Sequence, residues 1–215
     1  MRKLIDLIEK AELSITDTPA FKAWFVGSKV VDSNGLPLRV YHGGSPNIDK
    51  FDKNKIGQNF GDSHGFYFTT NTSYDTAWYG GNDYRVYDDM YSAGAYAKNV
   101  QGAVYPCYLR IVNPLYLRDW AETVGLDFDH EISDYGHPQD ILDIHKKSIM
   151  NYANAHGHDG IIAIHGNDAV YVVFEPKQIK SAFAKNFDHD SEYISENSEV
   201  TYTLYHGTCS DENPF

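Results

Sequence analysis

The stretch DGIIAIHGNDAVYVVFEPKQIKSA, residues 159–182, decides the fold more than any other part of the chain. It contains two apolar runs rich in β-branched residues, GIIAI and AVYVV, separated by HGND, a combination typical of a turn. Runs of this length and composition predict strands. The stretch therefore predicts two strands that close the core of the domain.

The N-terminal part of the chain predicts two short helices followed by a hairpin. Leu4, Ile5, Leu7 and Ile8 favour an amphipathic helix, and Thr18 followed by Pro19 is typical of an N-cap and a first helical residue. The turn sequence DSNG, residues 32–35, lies between SKVV and LPLRVY and indicates a hairpin. Its second strand ends at His42.

The remainder of the chain adds strands and few helices. GFYFTT, residues 65–70, predicts a strand, SYDTAWYG after it a helix, and residues 80–102 a long surface insertion. AVYPCYLRIVNPLYL predicts two strands interrupted at Asn113 and Pro114, and Pro138 begins a further helix. Because no regular βαβ alternation occurs, these elements predict an α+β fold rather than a doubly wound sheet.

Composition limits the classes of partner and the domain count. The chain has 215 residues, 42% of them apolar, and a formal charge of −12, which argues against DNA, RNA or anionic membranes as partners. Only two cysteines occur, Cys107 and Cys209, and the N-terminus lacks the apolar run of a signal peptide. We expect a cytoplasmic protein with one domain over residues 1–188 and an acidic linker and tail over 189–215.

Common catalytic and metal motifs are missing from the sequence. It contains no Walker loop, no G-x-G-x-x-G, no G-x-S-x-G and no H-E-x-x-H. His156 and His158 in HGHD are spaced for a metal, but further ligands are not apparent and such pairs are commonly turn residues. The sequence therefore predicts no metal site.

Four segments occur in an order that has a known counterpart: VYHGG, then GFYFTTNTSYDTAWYG, then VYPCYLRIVNPL, then DGIIAIHGNDAVYVVFEPKQIKSA. Together they resemble the ADP-ribosyltransferase superfamily, in its diphtheria-toxin and poly(ADP-ribose)-polymerase branch. The likeness is greatest to the transferase domains of phage and mobile-element polyvalent proteins, and it covers roughly residues 18–188. It implies a split antiparallel β-sheet core with small peripheral helices.

The resemblance also implies a substrate and the residues that bind it. NAD is the substrate of this superfamily, and His42 takes the place of the histidine that hydrogen-bonds the nicotinamide ribose. Gly43 is expected to pair its backbone with the carboxamide, since glycine permits close approach to a ligand. Tyr67 and Tyr79 match the two tyrosines that enclose the nicotinamide, and Thr76 matches a hydroxyl residue that hydrogen-bonds the carboxamide.

The sequence departs from the family pattern at the last core strand. Alignment of YVVFEPKQI places the family's catalytic glutamate at Val170, which cannot hydrogen-bond a ribose hydroxyl. Side chains alternate along a strand, so Asp168 shares a face with position 170 whereas Glu175 has the opposite parity. Asp168 is therefore the predicted substitute acid, and the alternative is that it only shapes the HGND turn.

The implied activity is mono-ADP-ribosylation of a macromolecule, a target protein rather than nucleic acid, by a phage or mobile-element effector. Two alternatives stay open: a catalytically weakened domain that binds NAD or a partner, and an NAD glycohydrolase that uses water as acceptor. An RNA 2′-phosphotransferase shares the fold but requires basic residues to grip RNA phosphate, and no basic cluster is apparent.

A similar short stretch of the sequence occurs twice, once before the middle of the chain and once at its C-terminus. LYHGTCSDENPF, residues 204–215, repeats VYHGGSPNIDKF, residues 40–51, with the same nine-residue step from histidine to phenylalanine. Self-similarity of this kind suggests the start of a second similar domain or a vestige of one. Coincidence in a tail rich in tyrosine and glycine is the alternative.

Overall fold

Seven strands form the sheet of the computed structural model, which describes residues 15–56, 65–70, 103–166 and 168–195. They are β1 (Val40–Gly44), β2 (Phe66–Thr69), β3 (Ala103–Leu109), β4 (Pro114–Tyr116), β5 (Gly160–His165), β6 (Asp168–Val173) and β7 (Ile179–Ser181). Their order across the sheet is β4-β5-β6-β2-β1-β3-β7. Only β4 and β5 are parallel neighbours, so the sheet is mainly antiparallel and the predicted α+β class is confirmed.

Short helices surround the sheet in the described ranges. They are α1 (Pro19–Phe25), α2 (Leu117–Thr123), α3 (Phe128–Tyr135), α4 (Pro138–Ile144) and α5 (Lys146–Ala155), with 3₁₀ helices at Lys53–Lys55 and Pro176–Gln178. The run from α2 to α5 joins the parallel strands β4 and β5, a connection that requires such a crossover. None of the described helices combines the length and the apolar character needed to cross a membrane.

The predicted strands of residues 159–182 form a hairpin. Residue pairs run in antiparallel register from Gly160 opposite Val173 to His165 opposite Asp168. Gly166 follows β5 with φ +59°, a left-handed conformation that glycine adopts at little cost. Most residues of both runs are buried on both faces of the sheet, and Ile164 near the end of β5 is exposed.

Alternation of side chains along the strands divides the core into two layers. Phe66 and Phe68 of β2 pack into one layer, which also contains Val40, Phe51, Tyr105, Cys107, Leu109, Ile162, Tyr171 and Val173. Tyr67 packs into the opposite layer, with Leu115, Leu117, Trp120, Ile141, Leu142, Ile149, Ile161, Val170 and Val172. A residue's parity on β2 therefore decides which layer it enters.

Helix α1 begins as its sequence predicts. The Thr18 Oγ1 accepts a hydrogen bond from the Phe21 backbone N–H at 3.2 Å, and Pro19 is the first helical residue. The helix buries Phe21, Trp24 and Phe25 against β3 and the segment after β7, where they contact Tyr108 and Phe187.

Three local predictions differ from the structure. Residues 32–35 form the expected turn, but only the isolated bridge from Val31 to Pro37 joins its arms, so no full hairpin forms. The helix predicted from Pro138 is two helices, because the chain leaves helical geometry at His145. Helices α2 and α3 were not predicted: three and two buried residues respectively give too weak a periodic signal.

The segment after β7 belongs to the folded body as far as residue 194. Ile194 is buried, its N–H donates to the Asp49 carbonyl, and its carbonyl accepts from the Ser181 N–H. The buried Lys180 ammonium donates to the carbonyls of Ser191 and Tyr193 at 3.0 Å each. Residues 191–194, which we call the strap, therefore pack on the folded body.

Candidate active site

Strands β1 and β2 diverge at the point where His42 lies. In the described residues they share one register pair, Tyr41 opposite Thr69, whereas β1 pairs with β3 along its whole length. Beyond that pair the His42 Nδ1 lies 2.8 Å from the Tyr67 carbonyl oxygen. A side chain thus makes the contact to β2 where a backbone ladder would otherwise continue, and the two strands part at this junction although the sheet stays continuous through Tyr41 and Thr69.

The environment of His42 keeps its imidazole neutral. The ring is packed at 4.8 Å from the Phe51 centroid and 5.3 Å from the Phe68 centroid. This burial lowers the pKa of His42 to about 4, although the hydrogen bond to the Tyr67 carbonyl acts in the opposite direction. A carbonyl only accepts, so Nδ1 carries the proton and Nε2 keeps a lone pair at neutral pH. His42 is therefore built to accept a hydrogen bond from a hydroxyl.

The absence of a side chain at Gly44 provides the space for the His42 ring. A Cβ on Gly44 would lie 2.8 Å from His42 Nε2 and 2.8 Å from the Ile48 Cδ1. Both separations are shorter than a carbon side chain tolerates, so residue 44 must lack a side chain while the ring holds this position. The second glycine of VYHGG thus has a steric reason, and Gly43 lies between it and the histidine in β1.

Tyr67 meets His42 through its backbone rather than through its ring. Its side chain is buried in the layer of Val170 and Val172, while the His42 ring packs on Phe51 and Phe68 in the other layer. The two side chains therefore lie on opposite faces of the sheet. Thr76 and Tyr79, the other predicted nicotinamide contacts, lie outside the described residues, so the predicted enclosure of the nicotinamide stays a prediction.

The strand register locates position 170, where the family has its glutamate, and the predicted substitute acid Asp168. Val170 is buried opposite Thr69, which is itself opposite Tyr41, so position 170 lies one residue along the sheet from the level of His42. Asp168 lies two residues, about 7 Å, further away at the start of β6. Its role as a substitute acid stays a prediction.

Glu175 lies beyond the end of β6 and has structural partners. Its carboxylate contacts the Lys53 ammonium at 2.6 Å, and its backbone N–H donates to the Gln178 Oε1 at 2.9 Å. The Gln178 Nε2 in turn donates to the carbonyls of Arg110 and Asp159. Because β6 ends before residue 175, the alternation of side chains along the strand does not apply to Glu175. The 3₁₀ helix that follows and the ion pair with Lys53 set its position instead.

The histidines of HGHD engage backbone carbonyls at the end of α5. His156 Nδ1 lies 2.8 Å from the Tyr152 carbonyl and stacks on the Tyr152 ring, and His158 Nδ1 lies 3.2 Å from the Asn113 carbonyl. Within the described ranges, no three His, Cys, Asp or Glu side chains group closely enough to hold a metal ion.

Phe51 is a site neighbour to which the sequence analysis assigned no role. It lies edge-on against His42 and also contacts Phe66 and Phe68. The signal was present in the repeat, because the nine-residue step from His42 to Phe51 is the spacing that recurs from His206 to Phe215. In the first copy this spacing joins two rings that touch.

A comparison with protein families agrees with this geometry. The family model of ADP-ribosyltransferase domains in polyvalent proteins matches residues 32–189, from the turn before β1 to the segment before the strap. The chain belongs to this ADP-ribosyltransferase family. The resemblance of its four segments is therefore confirmed, and the mainly antiparallel sheet is consistent with an ADP-ribosyltransferase fold. No curated protein and no solved structure matches the chain.

Proposed function

We propose that this ADP-ribosyltransferase domain cleaves NAD and transfers a single ADP-ribose to a protein acceptor. The observation that carries the proposal is the neutral, fixed imidazole of His42 at the split between β1 and β2. Among the described residues none hydrogen-bonds its Nε2, which can therefore accept from a ribose hydroxyl, and Gly43, the next residue of β1, has no side chain to obstruct a carboxamide.

The reaction breaks one bond and forms one. The glycosidic bond between the ribose anomeric carbon and the nicotinamide nitrogen breaks, and its electron pair leaves with neutral nicotinamide. The acceptor nucleophile then bonds to the anomeric carbon and loses its proton to solvent or to a base. Because the transition state resembles an oxocarbenium ion, positioning and electrostatics supply most of the rate.

Each predicted residue has a distinct part in this scheme. His42 orients the ribose, the Gly43 backbone and Thr76 hold the carboxamide, and Tyr79 stacks on the leaving group. Tyr67 acts through its backbone carbonyl, which fixes the His42 ring. Asp168 contributes negative potential toward the charge that develops on the ribose. No step requires a metal ion.

The apolar residue at position 170 supports transfer of one ADP-ribose unit rather than chain growth. In the family, chain growth depends on the glutamate that this sequence replaces with Val170, and that side chain is buried among apolar neighbours. The same observation favours a second candidate, an NAD-binding module with little turnover. Water as the acceptor would make the domain an NAD glycohydrolase.

The net charge of the chain and its family suggest the acceptor of the ADP-ribose and the biological setting of the reaction. The chain carries 30 acidic against 18 basic residues, which disfavours nucleic acid as the acceptor and favours a protein target. The family's occurrence in polyvalent proteins supports a phage or mobile-element effector. We place its action in the cytoplasm, since NAD is an intracellular substrate.

Incubation of the protein with a cell lysate and biotin-labelled NAD tests the proposal. A transferase attaches label to defined proteins, and mass spectrometry then shows an increment of one ADP-ribose at a specific side chain. Release of nicotinamide without labelled protein indicates the glycohydrolase. NAD binding without nicotinamide release indicates the binding module, and absence of NAD binding contradicts all three.

A further inference from the structure

Tyr105 is the cross-strand neighbour of His42 in the sheet. The two residues are opposite each other in the antiparallel pair of β1 and β3, so their side chains leave the sheet on the same face. Tyr105 is buried in the layer that contains Phe51 and Phe68, the two rings that pack on His42. A tyrosine in such an apolar layer requires a partner for its hydroxyl.

The hydroxyl of Tyr105 fastens the loop that follows β1. It donates to the Ser45 carbonyl at 2.7 Å and accepts from the Ile48 N–H at 2.9 Å. Asn47, within this loop, has φ +60°, a left-handed turn conformation that asparagine adopts more readily than other non-glycine residues. One hydroxyl therefore joins both ends of residues 45–48, which we call the clamp loop.

The clamp loop borders the nitrogen of His42 that faces away from Tyr67. The Ile48 Cδ1 and the His42 Nε2 both lie 2.8 Å from the point where a Gly44 Cβ would be. The loop thus forms one wall beside the acceptor nitrogen, while Nδ1 is held by the Tyr67 carbonyl. Movement of Ile48 would change the space in which His42 can turn.

We propose that Tyr105 is a positioning residue for NAD: its hydroxyl fixes the clamp loop, and the clamp loop holds His42 with Nε2 directed at the ribose. This inference rests on the proposed function, because it assigns the ligand of His42 as NAD. Apolar packing alone does not require the hydroxyl, since phenylalanine fills the same volume in a core. The hydroxyl is instead explained by the two backbone groups that it satisfies.

The variant Tyr105→Phe removes the hydroxyl and keeps the ring. Tyr171→Phe is the matched control, because Tyr171 is a buried tyrosine of the same layer on β6. Three measurements separate the roles: melting temperature, nitrogen-15 NMR of the His42 ring without NAD, and calorimetric titration with NAD. The rate of nicotinamide release at saturating NAD is measured alongside.

In Tyr105→Phe we expect the His42 ring resonances to shift or broaden and the Kd for NAD to rise about tenfold, the effect of one lost hydrogen bond. The rate at saturating NAD should stay within threefold of wild type. Tyr171→Phe should match wild type in both the ring spectrum and NAD affinity. A fall in melting temperature common to both variants reports only the loss of a buried hydroxyl.

Two results overturn the inference in different ways. If wild-type protein binds NAD and Tyr105→Phe binds it equally well with an unchanged His42 spectrum, only the positioning role is wrong. If wild-type protein binds no NAD, the proposed function is wrong, and the role of Tyr105 in NAD use is wrong with it.

Discussion

The His42 imidazole hydrogen-bonds the Tyr67 carbonyl at 2.8 Å, so two residues predicted to meet around one ligand first meet through a backbone oxygen. This bond lies where β1 and β2 part, beyond their register pair of Tyr41 and Thr69. It fixes the tautomer of the ring and leaves Nε2 as an acceptor.

The variant His42→Ala should weaken NAD binding while the protein stays folded. Loss of a ribose hydrogen bond is worth about 1 to 3 kcal/mol, or roughly 5- to 150-fold in Kd. Calorimetry with NAD measures the change. His156→Ala is the control, because His156 is an exposed histidine at the end of α5. Equal NAD affinity in the two variants would show that His42 does not contact NAD.

The variant Gly44→Ala should impair the site by steric conflict. The new methyl group would lie 2.8 Å from His42 Nε2, so the ring must rotate or β1 must shift. We expect NAD affinity to fall at least as far as in His42→Ala. Gly125→Ala is the control for stability alone, since Gly125 has φ +77° and open space around it, far along the chain after α2. Wild-type NAD binding by Gly44→Ala would contradict the close approach seen here.

The free energy of unfolding should decrease as the pH falls, over a pH range set by the pKa of His137. This buried histidine caps α4, with Nδ1 accepting from the Gln139 N–H at 3.1 Å, and burial lowers its pKa to about 4. In the unfolded chain its pKa is about 6.5, so the stabilisation is complete above pH 6.5 and is lost as the pH falls toward 4. Between pH 7.5 and pH 5 this amounts to about 2 kcal/mol.

Urea denaturation of wild type and His137→Asn at both pH values checks this window. Asparagine keeps an N-cap acceptor but does not titrate, and other titrating groups, His42 included, are common to both proteins. The wild type should therefore lose about 2 kcal/mol more than the variant between the two pH values. Identical losses would mean that His137 is protonated in the folded protein.

How much of this domain is predictable from sequence depends on whether the signal is local. The apolar runs of β5 and β6 and the Thr18–Pro19 pair are local signals, and the structure confirms them. The layer of the Tyr67 ring depends on the register of β2 with β6, which a single strand does not specify. Likewise the clamp on residues 45–48 comes from Tyr105, 57 and 60 residues away from its partners.

The helices between β4 and β5 are a second example of structure that the local sequence does not predict. Helix α2 buries Leu117, Trp120 and Ala121, a helical spacing that covers little more than one turn. Helix α3 has an N-cap at Asp127, whose carboxylate accepts from two backbone N–H groups, but its sequence is largely polar. Packing against the sheet stabilises such short helices more than their own propensity does.

Removal of the strap should destabilise the domain. A chain ending at residue 188 loses the buried Ile194 side chain and leaves the buried Lys180 ammonium without the Ser191 and Tyr193 carbonyls. We expect it to be less stable than a chain ending at residue 195 by about 3 to 5 kcal/mol, or to remain unfolded. In the full chain, Ile194→Ala should cost about 2 to 4 kcal/mol. Equal urea midpoints for the two truncated chains would show that the strap contributes nothing.

The last prediction concerns the acid that replaces the family's glutamate. By register, Asp168 lies too far from His42 for its carboxylate to reach the same ribose hydroxyl, so we expect it to act through its charge. A carboxylate about 10 Å from the developing positive charge contributes about 1 kcal/mol at an intermediate dielectric, or roughly fivefold in rate. Asp168→Asn should therefore keep the wild-type Kd for NAD and slow nicotinamide release about fivefold.

Glu175→Gln is the matched control for Asp168→Asn, because it also replaces one carboxylate with an amide. Asp168 begins β6, and Glu175 follows shortly after the end of that strand. Its lost partner is the half-exposed Lys53 ammonium, a pair of the kind that contributes about 0 to 1 kcal/mol to stability, so both NAD affinity and rate should stay at wild-type values. Single-turnover nicotinamide release at saturating NAD measures both variants. If Asp168→Asn slows nicotinamide release more than a hundredfold, Asp168 must contact NAD directly, and the register of β6 must differ. If only Glu175→Gln slows release, Glu175 is the acid of the reaction.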